Sequence, residues 1–249
     1  MRFSEQIKQE AQPIIEQIYH DGFIQGMLNG DIATESVKHY LRADSRYLNE
    51  FAKIYALLIP KVDTKDEIQF LTEQIQFASS GEVEAHHILA DYVGEDYQSI
   101  IQRGDWYPSA DHYIKHMYYN AYAFDNVAFT IAAMAPCPYV YQRLGKMAIE
   151  NHHFEANHPL KGWFDFYNRE MDTLLSYIDR WLDSYAEVSS EKVRGACFNA
   201  SSLIISYCEK TFSLCVRLVA FVDCVVVLGC ACFNASSLII SYCEKTFSL

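Results

Sequence analysis

The sequence predicts an all-α protein built as a bundle of antiparallel helices. Three observations carry this. Apolar residues recur at i, i+3 and i+4 through the first 190 residues, the spacing that gives a helix one buried face. Glycine and proline are scarce, 10 and 6 in 249 residues. No stretch shows the alternating pattern of a half-buried strand. Long helices joined by short loops must bury their apolar stripes on one another, which is a bundle.

Taken in order, Ile7, Ile14, Ile15, Ile18 and Phe23 mark a first apolar face. Gly22, Gly26 and Gly30 are four apart, which is not a phosphate-binding loop; Gly30 is read as a helix terminator. Val37, Tyr40, Leu41, Tyr47, Leu48, Phe51 and Ile54 mark a second face. Thr64 is placed to cap a third helix carrying Ile68, Leu71, Ile75 and Ala78. Ser109 is read as the cap of a fourth. A further helix ends near Met134, Pro136 and Pro138 punctuate the chain, and two more helices follow over about 139–152 and 163–185.

Composition narrows the function. The formal net charge is -12, and Lys and Arg form no cluster, so nucleic acid is not an expected partner. The polar N-terminus has no apolar signal core, which favours a cytoplasmic protein. Cys137 stands alone in the first 196 residues, whereas Cys197, Cys208, Cys215, Cys224, Cys230, Cys232 and Cys243 crowd the end. That distribution is not a disulfide framework. With 18 Tyr and 15 Phe, the chain can line a polar cavity inside an apolar wall.

The last residues differ from the rest. Segments 196–214 and 231–249 are identical, both reading ACFNASSLIISYCEKTFSL. An identical pair is unlike the diverged units of a solenoid. The chain thus divides into a helical bundle, 1–195, and an atypical tail, 196–249. The stretch 211–233 is long enough to cross a bilayer, but Arg217 and Asp223 fall inside it and would be costly there, so no membrane span is expected.

Two residues stand out chemically. Cys137 lies in Ala135-Pro136-Cys137-Pro138-Tyr139, where a proline at the first helical position would put the thiol at a helix N-terminus. A thiolate is favoured there and is the nucleophilic form of cysteine. A buried structural cysteine is the other reading. Asp44 falls within the apolar stripe of the second helix, and a buried carboxylate needs a partner or a ligand. Tyr113, Tyr139, Tyr141 and Tyr167 can offer ring faces and hydroxyl donors. A competing pattern is metallic: Glu84 with His87 and Glu150 with His153 are both Glu-x-x-His pairs, and Glu16 and Glu50 could complete a di-iron carboxylate site.

The order of these residues resembles the TenA family of thiaminase II, the aminopyrimidine aminohydrolases, over about residues 3–193. The matching segments are Phe23-x6-Gly30, Tyr40-x3-Asp44-x2-Tyr47-Leu48, Tyr113-x2-His116-Met117, the run from Ala132 to Tyr141 around Cys137, and Trp163-x3-Tyr167. The resemblance implies a haem-oxygenase-like helical bundle assembled as a homotetramer, with no metal or organic cofactor. It implies hydrolysis of 4-amino-5-aminomethyl-2-methylpyrimidine or of thiamin, releasing hydroxymethylpyrimidine in thiamin salvage. Cys137 corresponds to the nucleophile that adds to the ring, and Asp44 to the holder of the amino group and adjacent nitrogen. Tyr113 would bond near the thiol, and Tyr47, Tyr141 and Tyr167 would line the pocket. The family's acid/base glutamate stands in a Glu-x-x-Phe context on its last helix. Glu209 and Phe212 keep that context 42 residues after Tyr167, and Glu244 with Phe247 repeats it. Glu209 fits the family spacing, although both copies lack the Trp and Met-Ala that usually follow. Two alternatives stay open at this point: the di-iron oxidase, and a non-catalytic pyrimidine-binding regulator, the latter motivated by the altered tail.

Overall fold

The computed structural model describes residues 1–102 and 108–188. Among them every regular element is helical. In order these are α1 (Phe3–Tyr19), α2 (Gly22–Asn29), α3 (Thr34–Leu58), α4 (Lys65–Gln76) and α5 (Val83–Val93), then α6 (Tyr97–Ile101), α7 (Pro108–Ala123), α8 (Ala128–Met134), α9 (Pro136–Asn151) and α10 (Lys161–Val188). A 3-10 turn, Ile59–Lys61, follows α3, and a π-helical turn, Phe77–Gly81, joins α4 to α5. The repeated tail lies outside the described residues, as does the apolar stretch 211–233. Among the described residues no helix is long and apolar enough to cross a membrane.

Two long helices organise the bundle. α3, with 25 residues, packs on α4, α5, α6 and α7. α10, with 28 residues, runs along α9 and also meets α1, α5 and α8. The stripe read from the sequence holds throughout α3, since Val37, Tyr40, Leu41, Tyr47, Leu48, Phe51 and Ile54 are all buried. Each large apolar side chain buried this way stabilises the fold by roughly 1.5–3 kcal/mol before entropy is counted.

Local signals explain the element ends. Thr64 caps α4 as expected, its hydroxyl accepting from the Glu67 amide at 3.2 Å while the Glu67 carboxylate accepts from the Thr64 amide at 3.1 Å. Gly30 closes α2 with φ of 72°, a left-handed conformation that favours glycine. The first apolar face is divided between two helices, because Asp21 breaks the chain and accepts from the Phe23 amide at 3.0 Å.

Three other expectations need correcting. Ile68 is 39 % exposed, and the face that α4 buries is Phe70 and Leu71, with Phe70 stacked on Tyr177 of α10. Ser109 is inside α7, which already begins at Pro108, so it is not the capping residue. The helix carrying Cys137 starts at Pro136 and not at about 139, which agrees with the reading of a proline at its first position.

Contacts between the ends of the described chain close the bundle. The amide and hydroxyl of Ser4 donate to Asp183 at 2.8 and 2.9 Å, and Lys8 pairs with Asp179. α9 and α10 approach closely at Gly145. A Cβ there would lie 2.8 Å from the Asn168 amide nitrogen and 2.9 Å from the Phe164 carbonyl oxygen. Glycine is what lets these backbones touch.

Candidate active site

Cys137 occupies the first turn of α9, with Pro136 ahead of it and α8 ending at Met134. Its thiol is buried, and Cys137 is the one cysteine among the described residues. It faces a narrow cavity of about 20 Å³, partly open to solvent, whose other polar lining comes from Tyr55, Gln74, Glu82, Tyr141 and Tyr167. Leu48, Phe51, Phe77, Met171 and Leu174 supply apolar walls. Four helices, α3, α4, α9 and α10, and the junction between α4 and α5 therefore line the cavity with the sulfur.

A chain of hydrogen bonds links this cavity to Asp44. The hydroxyls of Tyr141 and Tyr40 are 2.8 Å apart, and Tyr40 donates to Asp44 Oδ2 at 3.3 Å. Asp44 Oδ2 also pairs with His86 Nε2 at 2.8 Å, and His86 Nδ1 lies 2.8 Å from the Tyr97 hydroxyl. The Asp44 side chain is 12 % exposed and that of His86 is fully buried. Asp44 thus has an internal partner, yet it keeps a second oxygen and a residual opening.

Glu82 lies beside this chain. It follows the π-helical turn, is buried, and accepts from the Tyr167 hydroxyl at 2.8 Å. Burial, reinforced by the negative charge of Asp44, pushes its carboxyl up to about 7, against the opposing pull of His86 and the Tyr167 bond. Tyr40, Tyr141 and Tyr167 are all raised well above the ordinary phenol value, chiefly by burial. They remain protonated donors at neutral pH, suited to stabilising charge that develops on a ligand. The site therefore combines a thiol, an acid that exchanges protons near neutrality, and fixed hydroxyl donors.

The residues expected from the sequence fall into three groups. Cys137, Tyr141 and Tyr167 share the cavity, and the rings of the two tyrosines are 4.7 Å apart. Asp44 joins through Tyr40. Tyr47 and Tyr113 form a buried pair with ring centroids 5.5 Å apart, and Tyr47 packs on Phe51 of the cavity wall. Tyr139 turns away: it lines a separate crevice with Ser4, Ile7 and Lys8 and carries the Lys8 ammonium over its ring. Glu209 and Phe212, like Glu244 and Phe247, lie outside the described residues.

The di-iron reading fails on placement. Glu84, His87, Glu150, His153 and Glu16 are exposed, and Glu50 is engaged by Lys53 and Tyr118. Among the described residues no group of three or more His, Cys, Asp or Glu side chains converges. The register explains the miss: on α5 the inward positions are Ala85, His86, Leu89 and Ala90, so the helix turns His87 to solvent.

Glu82, His86 and Tyr55 are not singled out by the sequence, and Tyr40 is marked there only as a stripe residue that opens the segment around Asp44. A signal existed for two of them. Glu82 and His86 are four apart, the spacing of one helical face, but the π-helical turn before them obscures the periodicity.

Comparison with known proteins agrees with this architecture. The model of the TENA/THI-4/PQQC family matches residues 8–171. The chain is 56 % identical over 206 residues to a protein of Staphylococcus saprophyticus named aminopyrimidine aminohydrolase, covering 82 % of this chain and 90 % of the relative. A protein of the same name from Staphylococcus carnosus is 52 % identical over 191 residues, covering 77 % and 84 %. Among solved structures, a TenA homologue from P. horikoshii superposes with a TM-score of 0.73 at 17 % identity, covering 87 % of this chain and 99 % of that one. A haem-oxygenase-like domain from Shewanella denitrificans gives 0.67 at 14 % identity, covering 93 % and 97 %. At those identities the likeness speaks for the fold, which is the haem-oxygenase-like helical bundle. With its family match spanning most of the bundle and Cys137 at the head of α9, the chain belongs to the TENA/THI-4/PQQC family.

Proposed function

We propose that this chain is an aminopyrimidine aminohydrolase of the thiaminase II type. It would act on 4-amino-5-aminomethyl-2-methylpyrimidine or thiamin and release hydroxymethylpyrimidine for thiamin salvage. The observation that carries this is a buried thiol and tyrosine hydroxyls around one cavity, joined through Tyr40 to the Asp44 carboxylate. A thiol and hydroxyl donors suit the chemistry of an electron-poor heterocycle, and a carboxylate suits its amino edge. The names of the Staphylococcus relatives support the same chemistry.

In this scheme Cys137 adds to the ring and Asp44 holds the amino group and adjacent nitrogen. Tyr113 bonds near the thiol, while Tyr47, Tyr141 and Tyr167 line and polarise the pocket. Glu209 serves the leaving group and the water, with Phe212 as a pocket wall, and the tail 196–249 supplies the last helix. No metal or organic cofactor enters the scheme. The same resemblance carries a cytoplasmic homotetramer, which light scattering at four chain masses would check.

The test is Cys137→Ala, assayed for hydroxymethylpyrimidine release. Loss of a nucleophile leaves only binding and polarisation, so turnover is expected to fall by about 10³-fold or more. Unchanged turnover rejects the assignment. Tight pyrimidine binding by the unaltered chain without any release would instead favour a non-catalytic regulator.

A further inference from the structure

One buried acid in the cavity has no role in the scheme above. Glu82, Tyr55 and Cys137 line the same space. The Tyr55 hydroxyl is buried and makes no hydrogen bond among the described residues, so a polar ligand atom is the natural partner at that end of the cavity. Glu82 is held in place by the Tyr167 hydroxyl at 2.8 Å, and the π-helical turn before it aims it inward. These features place two buried polar groups in the same cavity as the Cys137 side chain.

We propose that Glu82 is a catalytic acid–base residue that carries the thiol proton to the substrate ring during addition and returns it during release. This rests on the hydrolase reading. As the Cys137 sulfur bonds to the ring carbon, its S–H proton passes to the Glu82 carboxylate. The π pair of the attacked C=N bond moves onto the ring nitrogen, and Glu82 gives that nitrogen the proton. On release, the nitrogen returns the proton to Glu82, the S–C pair goes back to sulfur, and the thiol is re-formed. No proton is gained or lost over the cycle, and the leaving amine and water remain with Glu209.

The surroundings of Glu82 fit two-way transfer. α3 presents Asp44, Tyr40 and Tyr55 to it, α9 presents Cys137 and Tyr141, α10 presents Tyr167, and α5 itself presents His86. Burial and Asp44 favour the acid, while His86 and Tyr167 favour the carboxylate. A carboxyl balanced at about 7 gives and takes protons with nearly equal ease at neutral pH.

The experiment compares the full-length chain with Glu82→Gln and Glu82→Asp on 4-amino-5-aminomethyl-2-methylpyrimidine. Glutamine keeps the shape and the Tyr167 partner, and its melting temperature controls for folding. The expected result is a kcat lowered by about 10² to 10⁴-fold with KM within about threefold, loss of the pH limb near neutrality, and partial recovery in Glu82→Asp. Difference infrared spectroscopy gives a readout apart from turnover: a carboxylic-acid band that titrates near neutrality in the unaltered chain and is missing from Glu82→Gln. An active unaltered chain with Glu82→Gln within about threefold of its kcat overturns the role of Glu82 alone. So does a Glu82 carboxylate that stays ionised at pH about 6, a unit below the balance point. An unaltered chain that releases no hydroxymethylpyrimidine removes the hydrolase reading, and this step with it.

Discussion

Glu82 shows at the scale of one residue how function and stability oppose each other. Its carboxyl is raised from an ordinary value of 4.5 to about 7 in the folded chain. Below pH 4.5 both folded and unfolded chains hold the proton, and nothing is lost. As pH rises the unfolded chain releases it first, so the fold loses stability until pH passes 7. The loss is on the order of 3 kcal/mol for a shift of this size. Glu82→Gln cannot ionise and escapes this loss. Its melting temperature is therefore expected to rise relative to the unaltered chain between pH 5 and 8, and parallel melting curves at the two pH values would contradict the burial argument. A group kept at such a cost, in contact with the cavity that holds Cys137, has the signature of a functional acid.

At the scale of elements, the site depends on how closely α9 and α10 pack. α9 brings Cys137 and Tyr141, and α10 brings Tyr167, so their separation sets the width of the cavity. Gly145 fixes that separation, since backbone atoms of α10 lie where a Cβ would go. Backbone cannot move aside as a flexible side chain does. Gly145→Ala is expected to destabilise the chain by about 1–3 kcal/mol, measured by urea denaturation. It should also lower kcat, because the thiol is displaced from Tyr167 of α10. An unchanged denaturation midpoint would show that the helices can part without penalty. The π-helical turn between α4 and α5 is a second device of this kind. It shifts the register of α5 so that Glu82 and His86 point inward while Glu84 and His87 meet solvent.

At the scale of the whole molecule, the question is how an enzyme of this bundle is completed. The described residues bring the Cys137 thiol, the tyrosine hydroxyls and, through Tyr40, the Asp44 carboxylate together, while the glutamates proposed for acid–base work, Glu209 and Glu244, fall in the repeated tail. Glu209 and Glu244 stand in identical local sequence, so chemistry alone does not separate them. Chain length does. Glu209 lies 42 residues after Tyr167, within the family's spacing, and Glu244 lies a further copy away. Glu209→Gln is expected to reduce turnover by about 10²-fold or more, whereas Glu244→Gln leaves it unchanged. The reverse pattern, read in the same assay, would assign the second copy to the site.

The sequence by itself determined the fold class, the α3 stripe, the Thr64 and Gly30 boundaries, and the candidacy of Cys137 and Asp44. These are local matters: periodicity, capping and turn chemistry act over a few residues, so a few residues disclose them. Tertiary structure alone decided which polar groups share a space. The sequence offered Glu84 with His87 as a pair, and the folded chain used Glu82 and His86, one π-turn out of register. It also decided that Tyr139 belongs to a crevice against α1 while Tyr40, a residue of the α3 stripe, bridges Asp44 to Tyr141. Burial is set by what packs above a side chain, and the partners arrive from helices many residues away. The same burial moves Glu82 into the neutral range, a property that no neighbouring residue in the chain discloses.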